Sequence, residues 1–253
     1  MMLFPFAWQV LTSFKTLDEA IRVPIVIWPA EWQFENYGRA LTAIPFFDML
    51  NNSVVSVVVR SFFQVLLCSL AGYAFAVLRF PFKNLLFIAL LAIMMVPREL
   101  YLLPQTEILK VFGWLNTVPG LIAPGIVSAF GVFLMRQFFL SMPSSLVEAA
   151  KIDGASHLRI WFSIMLPLAR PGISALIIFT ALFSWNELLW PLLVNSDADK
   201  LNLSAGLSTL SGDTLTDFPL MMAGAVMAQL PMIIAFLILQ KSFIQGIAFT
   251  GTK

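Results

Sequence analysis

The sequence predicts an all-α integral membrane protein, a bundle of six spanning helices, and three observations point there. Hydrophobic residues fill 59% of the 253 positions and charged residues only 11%, whereas a soluble domain carries about 25% charged residues. The mean hydropathy of +0.88 leaves too little polar surface for water to be the main solvent. The apolar stretches are long and continuous rather than alternating, which selects helices over a closed barrel as the way to satisfy backbone groups in lipid.

The elements follow in order. The opening "MMLFPFAWQVLTSF" supplies about 20 Å of helix at 1.5 Å per residue, short of a bilayer core, and lacks the basic front of a signal peptide. It is expected to be the second half of a truncated first span whose start lies upstream. Five complete spans are expected at 54–78, 85–103, 118–139, 171–194 and 218–243, since about 20 apolar residues cross the hydrocarbon. Counting basic residues in the connections sets the orientation. Arg79, Lys83, Arg136, Lys151, Arg159, Arg170, Lys241 and Lys253 fall on one side, which is expected to be cytoplasmic together with the C-terminus. Lys15, Arg22, Arg39, Lys110 and Lys200 fall on the other, diluted by acids such as Asp197, Asp199, Asp213 and Asp217. The outer connections, 13–50 and 195–217, are polar, and the second is expected to be mobile. No repeat divides the chain, which reads as a partial first span and external loop (1–50), a core (51–245) and a cytoplasmic tail (246–253).

One inward-facing connection is unlike its surroundings: "EAAKIDGASHLRIWFSIMLP", residues 148–167. Pro143 and Ser144 stop the preceding segment, and Ser145 and Glu148 have capping-box spacing for a new helix. That helix is expected to run to Asp153, because Gly154 can take the left-handed conformation that closes a helix end. Ser156 then caps a second short helix that Pro167 stops, with Leu158, Trp161 and Ile164 or Met165 turned toward the bundle. Two short helices meeting at an angle make a compact knob. Ala149 and Ala150 would let another surface approach the first of them closely. A plain structured loop fits the same residues. A DNA-reading helix-turn-helix does not, since the second helix offers little beyond Arg159 for phosphates.

This stretch resembles the signature of permease subunits of binding-protein-dependent ABC importers: Glu-Ala-Ala, three residues, Gly, nine residues, Ile, one residue, Leu-Pro. Glu148, Ala149, Ala150, Gly154, Ile164, Leu166 and Pro167 meet every position. "LTSFKT", "SWNELLWPLLV" and the ending "QKSFIQGIAFTGTK" are similar to the carbohydrate branch, and the tail to its second, maltose-type permease. The resemblance covers essentially the whole chain apart from the truncated first span. It implies a type I ABC importer bundle in a bacterial or archaeal inner membrane, with residues 144–167 as a cytoplasmic coupling-helix pair. It implies that Glu148, Ala149, Ala150, Asp153, Gly154 and Ala155 dock onto a separate ATPase. The implied partners are a second permease, two ATPase subunits, an external solute-binding protein and membrane lipid. No cofactor is expected on this chain; ATP and Mg would sit on the ATPase, so this subunit is not itself an enzyme. The cargo would be a carbohydrate or polyol, glycerol phosphate included.

Polar groups at membrane depth are costly and mark cavities or partners. Asn186 and Glu187, between Trp185 and Trp190, are candidates for the translocation path, although interhelical hydrogen bonding that holds the bundle explains them equally. Gln229, just before Pro231, lies on a path or at a gate. Arg60 and Gln64 share a helix face, and Pro97, Arg98 and Glu99 mark a break; anchoring or internal pairing accounts for both groups. Cys68 and His157 lack the companions of a metal site, and a net charge of +1 points to no nucleic-acid partner. The tail is not a phosphate-binding loop, because Lys253 does not directly follow Gly251. An ion- or proton-coupled secondary carrier remains the alternative, with Glu187 as its relay.

Overall fold

A computed structural model of the chain describes residues 3–211 and 216–248, all helix, turn and loop with no strand among them. The order is α1 (Phe4–Ser13), α2 (Leu17–Ile21), α3 (Glu35–Ala43), α4 (Phe46–Val77), α5 (Lys83–Ile93), α6 (Glu99–Val111) and α7 (Val118–Ile122). A 3-10 turn (Ala123–Gly125) leads to α8 (Ala129–Leu140) and α9 (Ser144–Ile152). Next come α10 (His157–Ile160), a π-helical turn (Trp161–Met165), α11 (Leu166–Leu168), α12 (Arg170–Trp185), α13 (Leu189–Val194), α14 (Leu203–Ser208) and α15 (Phe218–Ala248). Asp213 and the tail beyond residue 248, both used in the charge and tail readings above, lie outside the described residues.

Two of the expected spans are continuous helices, α4 and α15. The other three are broken, and each break has a chemical cause. The span expected at 85–103 stops at Ile93 and resumes as α6 at Glu99, because Pro97 has no N–H to donate and adjacent charges seek polar surroundings. The span expected at 118–139 is interrupted between Gly125 and Ala129. There Pro124 ends one segment, and the Ser128 hydroxyl caps the next by accepting the Gly131 N–H at 2.9 Å. The span expected at 171–194 breaks at residues 186–188. Two carbonyls near that break find side-chain donors: Asn202 donates to Glu187 O and Ser204 to Trp185 O, each at 2.6 Å. A chain can leave the helix inside a bilayer only where protein replaces the lost hydrogen bonds.

The chain forms two compact units. Of the described residues, the first comprises 3–56, 114–121, 185–211 and 216–237. In it the "LTSFKT" stretch is pinned: the Asn36 amide donates to Ser13 O and Lys15 O, both at 3.0 Å. The Lys15 ammonium lies over the Trp8 ring at 4.1 Å. The outer connection, expected to be mobile, is instead packed from Leu201 to Gly206. Leu203 and Ala205 are buried, Asn202 caps α14, and the Asn52 amide donates to Asp199 O and Leu201 O. Asn195, Asn202 and Ser204 bond backbone carbonyls there, while Ser196, Asp197 and Asp199 stay exposed.

Of the described residues, the second unit comprises 57–113, 122–184 and 238–248. Its core gathers Cys68 and Tyr73 of α4, Val132, Met135 and Phe139 of α8, and Leu176 of α12. Val147, Ala150, Ile160, Trp161, Met165 and Ala169, from the 144–169 elbow, belong to the same core.

Candidate functional site

The elbow is a knob with one face buried and one exposed. Its first helix, α9, begins at Ser144 rather than after Ser145, with Pro143 extended before it and no side-chain cap. The expected Ser145–Glu148 capping box is therefore absent: Ser145 lies within the first turn, where its hydroxyl cannot reach back. The far end is as expected. Gly154 has φ +78°, its N–H donates to Lys151 O at 3.0 Å, and the Ala155 N–H donates to Ala150 O at 2.9 Å. These two bonds make a complete Schellman cap. Ser156 then caps α10 by accepting the Arg159 N–H. Pro167 does not stop that helix. Helical structure continues to Leu168, and α12 leaves at 80°.

The small residues of the motif divide by face. Ala150 is 7% exposed and sits in the core, whereas Glu148, Ala149, Asp153 and Gly154 are exposed and Ala155 is half-buried. Ile152 joins the outer face at 87% exposure. On the second helix Leu158 points outward, contrary to expectation, and Ile160 takes its place inside with Trp161 and Met165. Across the π-helical turn Trp161–Met165, Ile160 and Met165, five residues apart, share the buried face. Burying each of those three side chains stabilises the seating by about 1.5–3 kcal/mol. His157 adds a hydrogen bond between Nδ1 and the Tyr73 hydroxyl at 3.0 Å.

The second unit also holds a polar cavity of about 720 Å³, lined by Arg60, Gln64, Arg98, Ser128, Thr180 and Ser184 with Phe130, Phe179 and Phe183. Arg60 Nε donates to Ile122 O at 3.1 Å and Nη1 to Ser184 Oγ at 3.4 Å. The Gln64 amide donates to Gly125 O at 2.7 Å, while its Oε1 accepts from Ser128 (3.2 Å) and Thr180 (2.8 Å). Arg60 packs so closely on Gly125 that a β-carbon there would overlap the guanidinium. Arg60 and Gln64 are thus cavity-wall residues, not membrane anchors. Their i, i+4 spacing inside an apolar helix and the break at Pro97 were the available signals, but the second break, between Gly125 and Ala129, was not.

The other path candidates lie in the first unit. Asn186 is exposed and Glu187 is 7% exposed, both in the break of the fifth span. Gln229 is half-buried and donates to Gln9 Oε1 at 3.0 Å. Among the described residues no group of three or more His, Cys, Asp or Glu could hold a metal ion.

Comparison with known proteins agrees with this architecture. The family described as binding-protein-dependent transport system inner membrane component matches residues 46–248. The arabinooligosaccharides transport system permease protein AraQ of Halalkalibacterium halodurans is 35% identical over 99% of this chain and 91% of its own length. The sn-glycerol-3-phosphate transport system permease protein UgpE of Pectobacterium atrosepticum is 32% identical over 97% and 90%. A chain from the crystal structure of a bacterial ABC transporter involved in the import of the acidic polysaccharide alginate superposes with a TM-score of 0.84. It covers 96% of this chain and 91% of that one at 22% identity, so it speaks for the fold. The family match over residues 46–248 does not favour the secondary-carrier alternative: the chain belongs to the binding-protein-dependent transport system inner membrane components, the permease subunits of ABC importers.

Proposed function

We propose that this subunit forms half of the pore of an ATP-driven importer for a carbohydrate or polyol, and that its elbow receives the stroke of a separate cytoplasmic ATPase. The observation that carries the reading is the elbow's two-faced build. Its outer face, Glu148, Ala149, Ile152, Asp153 and Gly154, is exposed, while its inner face is locked into the helical core. A peg seated in that way transmits displacement; a loose loop would absorb it. ATP binding would shift the balance between inward- and outward-open states by acting on this peg.

The cargo class rests on relatives named for arabinooligosaccharides and glycerol phosphate transport. A cavity whose hydrogen-bonding groups alternate with phenyl rings suits a hydroxylated ligand. Arg60, Gln64, Ser128, Thr180 and Ser184 would form the wall of the path on this subunit, with Asn186, Glu187 and Gln229 as further candidates. A second permease would complete the pore, and an external solute-binding protein would deliver substrate.

Cys68, the only cysteine, is fully buried, so one introduced thiol can be read cleanly. Asp153→Cys should react with a membrane-impermeant maleimide in inverted vesicles and not in right-side-out ones. In the assembled complex it should be shielded by, and crosslink to, the ATPase subunit. Labelling from the outside, or unchanged reactivity when the ATPase is added, would overturn the assignment.

A further inference from the structure

The C-terminal end of α4 gathers positive charge without acids. Lys83 Nζ donates to Ala76 O (3.3 Å) and Leu78 O (2.8 Å). Arg136 Nε donates to Phe75 O at 3.2 Å, with its guanidinium over the Phe87 ring at 4.1 Å. Arg79 is exposed, and both it and Arg136 lie close enough for Lys83 to feel their charge. Among the described residues no carboxylate comes within ion-pair distance of any of the three. Glu148 is the one acid lining the adjoining cavity of about 830 Å³, and it shares that wall with Lys151 and His157. The carbonyl end of α4 offsets roughly half a charge. Capping that helix therefore explains the placement of Lys83 and Arg136 but leaves most of the positive charge unmatched.

Three further features narrow the counter-charge. Arg79, Phe82 and Lys83 line a hollow of about 380 Å³. Beside it stands exposed apolar surface: Phe82 at 74%, Leu85 at 62%, Leu86 at 51% and Ile88 at 62% exposure. The hollow lies where the longest span ends, and basic residues flanking a span sit at the level of the lipid headgroups. A soluble anion would match the charges alone, whereas this surface pairs charge with a greasy wall.

We propose that Arg79 and Lys83, which line the hollow, bind the phosphate of an anionic phospholipid whose acyl chains lie along the Phe82, Leu85 and Leu86 face, with the charge of Arg136 behind them. Lys83 and Arg136 hold the end of α4 in place, so an occupied site braces the turn from which the elbow's partner Tyr73 is one helical turn removed.

The test uses the transporter complex purified with its partner subunits. Native mass spectrometry and binding of a labelled phosphatidylglycerol are measured in nanodiscs of phosphatidylcholine. Arg79→Gln is the informative variant because, among the described residues, Arg79 makes no hydrogen bond that its loss would break; Arg79→Lys keeps the charge. The expected result is retention of phosphatidylglycerol over phosphatidylcholine, weakened about fivefold by Arg79→Gln, at roughly 1 kcal/mol per basic residue, and largely restored by Arg79→Lys. Equal retention of the two lipids, or no change in Arg79→Gln, overturns the proposal. So does competition by inorganic phosphate without any preference for the lipid, which would mark a soluble-anion site. Loss of the ATPase subunit from Arg79→Gln with lipid retention unchanged would assign the cluster to a protein contact instead, and equally overturns it.

Discussion

Gly154→Val probes the elbow's stiffness at the point where geometry makes the cost calculable. Gly154 adopts φ +78°, and a β-carbon added there would meet nothing within 4 Å. The penalty is therefore conformational rather than steric crowding within the chain. A left-handed backbone costs an ordinary L-residue about 1–2 kcal/mol, and a β-branched one is worse placed still. At 1.4 kcal/mol per tenfold, the Schellman cap should open roughly 5- to 30-fold more often. The direct readout is hydrogen exchange at the Ala155 amide, which donates to Ala150 O. It should accelerate by that factor while amides in the middle of α4 stay protected. In the reconstituted transporter, stimulation of ATP hydrolysis by loaded binding protein should fall in parallel. Gly154→Asn, whose side chain tolerates the left-handed region, should recover most of both. If valine leaves exchange and stimulation unchanged, the cap is not what stiffens the elbow. If asparagine is as damaging as valine, Gly154 acts through close contact with a partner and the stiffness argument fails.

Gln64→Leu should lower thermal stability in detergent, since Gly125 O and the Ser128 hydroxyl lose their partner and an unmatched buried polar group costs about 1–3 kcal/mol. Uptake should drop further than stability if the cavity carries substrate; equal losses would make Gln64 purely structural. Gly125→Ala should displace Arg60, because the added carbon overlaps the guanidinium. Overpacking of this kind costs about 1–3 kcal/mol, and a variant with wild-type melting would show that the site relaxes freely. In the connection that follows α1, the backbone N–H groups of Ala30 and Thr16 hold the Glu19 carboxyl below its ordinary value of 4.5. A depressed carboxyl contributes stability that is present above its unfolded pKa and lost as pH falls through the folded one. Protease cleavage within residues 17–31 should accordingly rise below about pH 4.5, and Glu19→Gln should remove that pH dependence.

The spanning character of the chain was legible because the cost of polar groups in lipid is large and acts on every residue of a run. The elbow's C-terminal cap was legible for a similar reason: Gly154 followed by Ala155 and Ser156 leaves few other ways to end one helix and start the next. What stayed hidden depended on partners distant in sequence. The break at residues 186–188 is tolerated because Asn202 and Ser204 donate to its carbonyls, and no local pattern announces donors some 15 residues away. The outer connection read as solvent-facing because it is rich in Ser, Asn and Asp. Asn195, Asn202 and Ser204 instead satisfy backbone groups, Asn202 also as the cap of α14. Ser145 and Glu148 had the right spacing for a capping box, yet Pro143 already sets an extended entry and the helix starts two residues sooner than a Ser145 cap would place it. Arg60 and Gln64 looked like anchors because a helix face says nothing of what opens opposite it.

The elbow and the cavity share one helix, and that connection decides how a push at one would be felt at the other. Helical hydrogen bonding continues through the 80° bend: the Ala169 N–H donates to Met165 O and the Ile173 N–H to Ala169 O, both at 2.9 Å. The bend is thus a bonded corner, not a swivel, and Ala169 is completely buried at its vertex. From there α12 rises about 16 Å over eleven residues to Thr180, which donates to Gln64, and on to Ser184, which accepts from Arg60. Both contacts belong to the cavity wall. A displacement of the elbow cannot be absorbed at the corner without breaking backbone hydrogen bonds or unseating Ile160, Trp161 and Met165. Its least costly outlet is movement of α12 as a body, and α12 can move only by shifting the two hydroxyls that hold Gln64 and Arg60 in position.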